Sequence, residues 1–117
     1  TSLWQPGQLL FAGFKGTELP RELAELLAEG RIGGVILFAR NIVDAEQVRA
    51  LTAALHAAAP PEAPVLLAID QEGGRVQRLR KPWTEWPPMR VLGERDDPST
   101  TAAVAAAIWV TSMAMPA

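Results

Sequence analysis

Two carboxylates and two guanidinium groups fall within one short run, Asp70-Gln71-Glu72-Gly73-Gly74-Arg75-Val76-Gln77-Arg78. Arg75 and Arg78 can each donate several directional hydrogen bonds, and ionised Asp70 and Glu72 can only accept them. Gly73-Gly74 frees the backbone to turn sharply, or lets a ligand come close to the main chain. That is the chemistry of a polar binding loop. It is equally that of a strand exit in which Asp70 caps a turn, and residue types alone leave both readings open.

The element that must position this run lies just before it. Val65 to Ile69 is continuously apolar and then breaks abruptly at Asp70. A short unalternating apolar run predicts a strand covered on both faces, as in a parallel sheet. Polar residues just beyond it then sit at the strand's carboxyl end, where α/β folds place their ligand sites.

The rest of the chain repeats this strand-and-helix pattern. Gln8 to Phe14 reads as a first strand. A helix from Pro20 or Arg21 to about Glu29 carries an apolar stripe of Leu19, Leu23, Leu26 and Leu27, and Gly30 stops it. Val35 to Ala39 reads as a second buried strand that ends in Arg40-Asn41. Asp44 and Gln47 have capping-box spacing ahead of a helix with Val48, Leu51, Leu55 and Ala58 on one face. Pro60-Pro61 closes that helix. After the third strand, Lys81 to Pro88 reads as a loop rich in proline and tryptophan. Asp97-Pro98 then starts an alanine-rich helix over about 99–113. The predicted order is β-α-β-α-β-loop-α, with helices suited to right-handed crossovers. Nothing divides the chain, so residues 1–117 are expected to form one domain.

Composition narrows the function classes. The chain has 117 residues, 49% of them hydrophobic, and a formal charge of −2, which describes a small soluble globular protein. Nearly balanced acids and bases give no reason to expect nucleic acid or an anionic membrane as a partner. The absence of cysteine removes disulfides, thiolate metal sites and cysteine nucleophiles. No basic segment followed by an apolar run opens the chain, so no signal peptide is expected. No segment reaches the roughly 18 apolar residues that span a bilayer. Neither a G-x-G-x-x-G turn nor a G-x-x-x-x-G-K-[ST] loop is present, so neither dinucleotide nor phosphate-loop binding is supported, and no cofactor or metal is expected. Three βα units fit a doubly wound sheet or part of a (β/α)8 barrel. Size favours the open sheet, since a full barrel needs about 250 residues.

Two stretches carry a resemblance. Gly33-Gly34-Val35-Ile36-Leu37-Phe38-Ala39-Arg40-Asn41 and Ile69-Asp70-Gln71-Glu72-Gly73-Gly74-Arg75-Val76-Gln77-Arg78 resemble signature segments of family three glycoside hydrolases, in the β-N-acetylhexosaminidase branch. The resemblance runs from about Leu9 to Ala107. It implies an α/β fold, the first three βα units of a (β/α)8 TIM-type barrel, incomplete in this chain. It also implies retaining hydrolysis of terminal β-linked N-acetylglucosamine from peptidoglycan fragments, in the cytoplasm. On the same grounds Asp70 and Arg78 are expected to bind the sugar. Glu72 and Arg75 are expected to pair with each other or brace the loop, and Arg40 and Asn41 to shape the pocket or serve as a cap or brace.

A retaining glycosidase needs a nucleophilic carboxylate and a separate acid/base. The resemblance places both, the second on a His-containing loop, beyond the third strand, so no catalytic residue is expected in this chain. The one histidine, His56, falls among alanines inside the second helix and reads as solvent-facing. Trp83 and Trp86 could stack on a sugar face or simply pin their loop. The tail from Ile108 to Ala117 departs from the family pattern. Apolar residues between Val104 and Met115, with open sheet edges, give an alternative expectation: a non-catalytic partial barrel that associates with itself.

Overall fold

The computed structural model describes residues 5–113. They form two compact units, divided in sequence after Ile69.

The first unit is a three-stranded parallel sheet with two helices. Its strands are β1 (Phe11–Ala12), β2 (Gly34–Leu37) and β3 (Leu66–Ile69), in the order β1-β2-β3. Gly34 to Leu37 pairs residue for residue with Leu66 to Ile69, so β2 and β3 end level with each other. Helix α1 (Arg21–Ala28) joins β1 to β2, and α2 (Ala45–Ala58) joins β2 to β3. The apolar stripes meet as expected. Leu23 and Leu27 of α1 cluster with Leu51 and Leu55 of α2, with Val35 and Leu37 of β2, and with Val65. Fully burying one such side chain contributes about 1.5–3 kcal/mol.

Local chemistry sets the boundaries. Gly30, at φ +67°, ends α1, and the Arg31 and Gly30 N–H groups bond the Leu26 and Leu27 carbonyls. These are the two bonds of a Schellman cap. Asp44 caps α2 by accepting the Gln47 N–H at 2.8 Å. Gln47 Oε1 accepts the Val43 N–H, one residue earlier than a strict capping box requires.

Three expectations need correction here. The first strand is shorter than Gln8–Phe14, because Pro6 opens a 3-10 turn over Pro6–Leu9 that closes with the Leu10 N–H on the Gly7 carbonyl. The second strand stops at Leu37, because the Asn41 side chain takes the Phe38 N–H that would have continued the ladder. The third strand is not covered on both faces. Leu66 is 63% exposed, because Leu67 and Ile69 take the face that packs on the core and Leu66 points to the opposite one.

The second unit opens with an antiparallel hairpin, β4 (Gln71–Gly73) and β5 (Val76–Gln77). The sequence pattern predicts only a loop here. The Trp/Pro-rich loop comes next, with a cis Lys81–Pro82 bond. It leads into an unanticipated helix, α3 (Met89–Arg95), which ends at Asp96 in the left-handed region. Helix α4 (Pro98–Met113) begins at the expected Asp97-Pro98. Trp109 and Val110 on α4 are exposed. Residues Ala114 to Ala117 of the expected apolar tail lie outside the described residues.

Candidate functional site

Asp70 sits directly after β3, so the third strand delivers it and the hairpin shapes the residues beyond. Gly73 and Gly74 both take positive φ, +88° and +59°, and make the turn. A side chain at Gly73 would run into the Pro87 carbonyl, and the Gly74 N–H bonds the Trp86 carbonyl at 2.8 Å. The close approach that these glycines permit is therefore made by the chain's own Trp86–Pro87 backbone. Arg80 closes the other side, donating to the Gly74 carbonyl at 2.7 Å and to Glu85 at 3.2 Å.

Two glutamines tie the hairpin to the segment 78–86. Gln77 is buried, and its amide donates to the Leu79 and Thr84 carbonyls at 2.8 and 2.7 Å and accepts the Trp86 N–H at 2.8 Å. Gln71, its register partner, accepts the Arg78 and Leu79 N–H groups, each at 3.0 Å, and donates to the Leu79 carbonyl at 2.9 Å. The sequence pattern assigns neither glutamine a role. Both are polar residues on very short strands, and only their long-range bonds to backbone reveal what they do.

On this frame Asp70 and Arg78 face each other loosely. Arg78 Nη2 lies 3.5 Å from Asp70 Oδ2, with the two side chains 24% and 39% exposed. Arg78 Nε is buried without a hydrogen-bond partner in the protein. A pair this long and this accessible adds little stability, so the arrangement leaves both groups with unused capacity. Glu72 and Arg75 are exposed, and among the described residues no ion pair joins them. Bracing is done instead by Gln71, Gln77 and Arg80. Trp83 is only 6% exposed, and the backbone of Trp86 is fixed by Gln77 and Gly74. These two residues pin their loop, and buried Trp83 offers no open face for stacking.

Arg40 and Asn41 belong to the first unit and lock a loop there. Arg40 Nε donates to the Phe14 carbonyl at 2.9 Å, and its guanidinium lies 4.7 Å from the centre of the Phe38 ring. Asn41 is fully buried and donates to the Phe14 and Gly16 carbonyls at 3.1 and 2.7 Å while accepting the Phe38 N–H at 2.9 Å. Both donors of that amide and one of its acceptor positions are spent on backbone. His56 is exposed on α2, as its setting among alanines suggested. Among the described residues no group of three or more His, Cys, Asp or Glu side chains could hold a metal ion, and no helix is long and apolar enough to cross a membrane.

Comparison with known proteins identifies the family and the fold. Residues 5–117 match the glycosyl hydrolase family 3 N-terminal domain. A β-hexosaminidase of Alkalilimnicola ehrlichii is 53% identical over 83 residues, which are 71% of this chain and 23% of that protein. The crystal structure of NagZ from Neisseria gonorrhoeae in complex with N-trifluoroacetyl-D-glucosamine superposes with a TM-score of 0.67 at 36% identity, covering 85% of this chain and 30% of that one. A family 3 β-N-acetylglucosaminidase from Paenibacillus superposes with a TM-score of 0.73 at 37% identity, over 87% of this chain and 20% of that one. The chain thus spans about a quarter of the length of the curated relatives it matches. Its βα units are the opening units of a (β/α)8-type barrel. A matched domain profile along nearly the whole chain and agreement in fold at more than a third identity lead to one assignment: the chain belongs to glycosyl hydrolase family 3, within its N-terminal domain.

Proposed function

We propose that this chain is the substrate-positioning part of a retaining β-N-acetylhexosaminidase, acting on terminal β-linked N-acetylglucosamine in peptidoglycan fragments in the cytoplasm. The observation that carries this reading is the loose Asp70–Arg78 pair, with Arg78 Nε unbonded. In this reading Asp70 accepts hydrogen bonds from neighbouring sugar hydroxyls. Arg78 donates from its fork to sugar oxygens, and charge makes these bonds about twice as strong as neutral ones. Asp70 and Glu72 are not the acid/base pair. Nucleophile and acid/base come from outside these residues, and the chain by itself turns over no substrate.

The test joins this chain to the remaining barrel of the Alkalilimnicola ehrlichii relative. There Asp70→Ala is expected to lower kcat/KM on a chromogenic N-acetylglucosaminide by roughly 10²-fold, the loss of a charged hydrogen bond to substrate. The thermal midpoint should barely move. A large fall in melting temperature with unaltered kcat/KM would make Asp70 a scaffold residue instead.

A second reading, a self-associating non-catalytic module, is favoured by exposed Leu66 on singly paired β3. Sedimentation at several concentrations decides it. A strict monomer at micromolar concentration would sink it.

A further inference from the structure

We propose that Gln71 is a positioning residue that anchors the backbone from which the Arg78 guanidinium reaches, a role that rests on the carbohydrate-binding reading above. Strand β5 ends at Gln77, so the Arg78 and Leu79 N–H groups have left the ladder and need other partners. Gln71 Oε1 supplies one for both, at 3.0 Å each. Its Nε2 fixes the same short segment from the other side through the Leu79 carbonyl at 2.9 Å. Gln77 Nε2 donates to that carbonyl too, at 2.8 Å. One side-chain amide therefore substitutes for a strand neighbour over two residues, and it holds the backbone from which the Arg78 side chain departs.

The far end of that side chain is held much less firmly. Among the described residues its ion-pair contact is Asp70 at 3.5 Å, and its Nε has no hydrogen-bond partner there. Gln71 thus fixes the point from which the guanidinium reaches, while the side chain's own rotations stay free. Its donors stay uncommitted while its root is fixed. An arginine whose backbone is ordered before the ligand arrives loses less freedom on binding, so a residue that only orders the Arg78 backbone strengthens binding without touching the sugar. Gln71 needs the amide to do this. The oxygen serves two N–H groups while the nitrogen serves one carbonyl, and no other uncharged side chain of that length offers both.

The experiment titrates N-acetylglucosamine into the isotope-labelled 117-residue chain and monitors the backbone amide signals of residues 70–80. Gln71→Met, of similar length without the amide, is expected to weaken binding roughly tenfold, as three ordering bonds are lost. Gln71→Glu keeps an acceptor for the two N–H groups but sets a carboxylate oxygen against the Leu79 carbonyl, so it should weaken binding as well. In an Arg78→Ala background Gln71→Met should add no further weakening, because its effect runs through Arg78.

A Gln71→Met penalty of the same size with and without Arg78 would overturn the proposal. If Gln71→Met loses the hairpin signals, Gln71→Asn decides by the same comparison, since it keeps the amide but is one methylene too short to reach. Arg78→Ala binding as tightly as the parent chain would remove the carbohydrate reading and this role together. Weakened binding by Arg78→Ala with Gln71→Met unaffected would remove the role of Gln71 alone.

Discussion

The two units are held together by different means. Up to Ile69 the chain obeys hydrophobic periodicity: two helical stripes and the central strand build one cluster in which Leu27, Val35 and Leu55 are 0–1% exposed. From Asp70 on, the residues that fix geometry are amides and a guanidinium bonded to backbone, Gln71, Gln77 and Arg80. Among the described residues the buried apolar side chains of the second unit are Leu79, Trp83 and Leu92. A scaffold that only has to be stable can be built from non-directional burial. The segment around Asp70 and Arg78 rests more on directional bonds, which the first unit also uses at Arg40 and Asn41 to lock a loop.

The contrast is broken most directly at the core. Leu27→Ala removes one of the most buried side chains and is expected to cost about 2–5 kcal/mol, read from denaturant unfolding. That is a large share of the roughly 5–15 kcal/mol that stabilises a typical domain. A loss below about 1 kcal/mol would mean that the apolar cluster is not what holds the first unit.

Gly73→Ala asks the complementary question. At φ +88° an alanine is strained by about 1–3 kcal/mol before its Cβ meets the Pro87 carbonyl. The expected result is faster hydrogen exchange at the Gly74 and Trp86 amides, which lose their partners as the turn opens. Amides in β2 and β3 should keep their protection. Unchanged exchange at Gly74 would show that the hairpin does not depend on this turn.

The same contrast explains how much could be read in the sequence. Helices α1 and α2 and the three parallel strands are legible from stripes at three- and four-residue spacing, short apolar runs, and caps such as Asp44 and Gly30. The hairpin was not legible, because Gln71–Gly73 and Val76–Gln77 are too short and too polar to show alternation. Helix α3 was hidden behind Pro87-Pro88 and carries Gly93 inside it. Its visible supports are buried Leu92 and an exposed Arg90–Glu94 pair, too little for a periodic signal. At the site, the charged run from Asp70 to Arg78 stood out because it follows an apolar strand, but the choice of Asp70 and Arg78 within it came from the family resemblance. Gln71 and Gln77 could not be singled out, since a glutamine bonded to distant backbone looks like any surface glutamine until the chain is folded. Arg40 and Asn41 were noticed for their place after a strand, and their carbonyl partners at Phe14 and Gly16 show them at work on a loop.

The smallest expected effect lies at the start of α4, where the second unit returns to a feature written locally in the sequence. Asp97 receives the Thr100 hydroxyl on its carboxylate, and the Ser99 N–H reaches it at 3.1 Å. The Thr100 hydroxyl above all, and then the backbone N–H groups of Thr100 and Ser99, hold the Asp97 carboxyl below its ordinary value. A carboxyl whose pKa is lower folded than unfolded favours the folded state above the ordinary carboxylate range. That contribution is lost as pH falls through the folded value. Thermal stability should therefore drop slightly on acidification in this window, and Asp97→Asn, which keeps a capping oxygen but cannot titrate, should flatten that part of the profile. A carbon-detected titration of the Asp97 carboxyl should show its inflection below that of an unstructured aspartate. Thr100→Val should move the inflection back up by removing the largest cause. An inflection at the ordinary value in the unaltered chain would mean that the Thr100 contact does not hold Asp97 in solution, and that even the most local of these polar contacts is weaker than its geometry indicates.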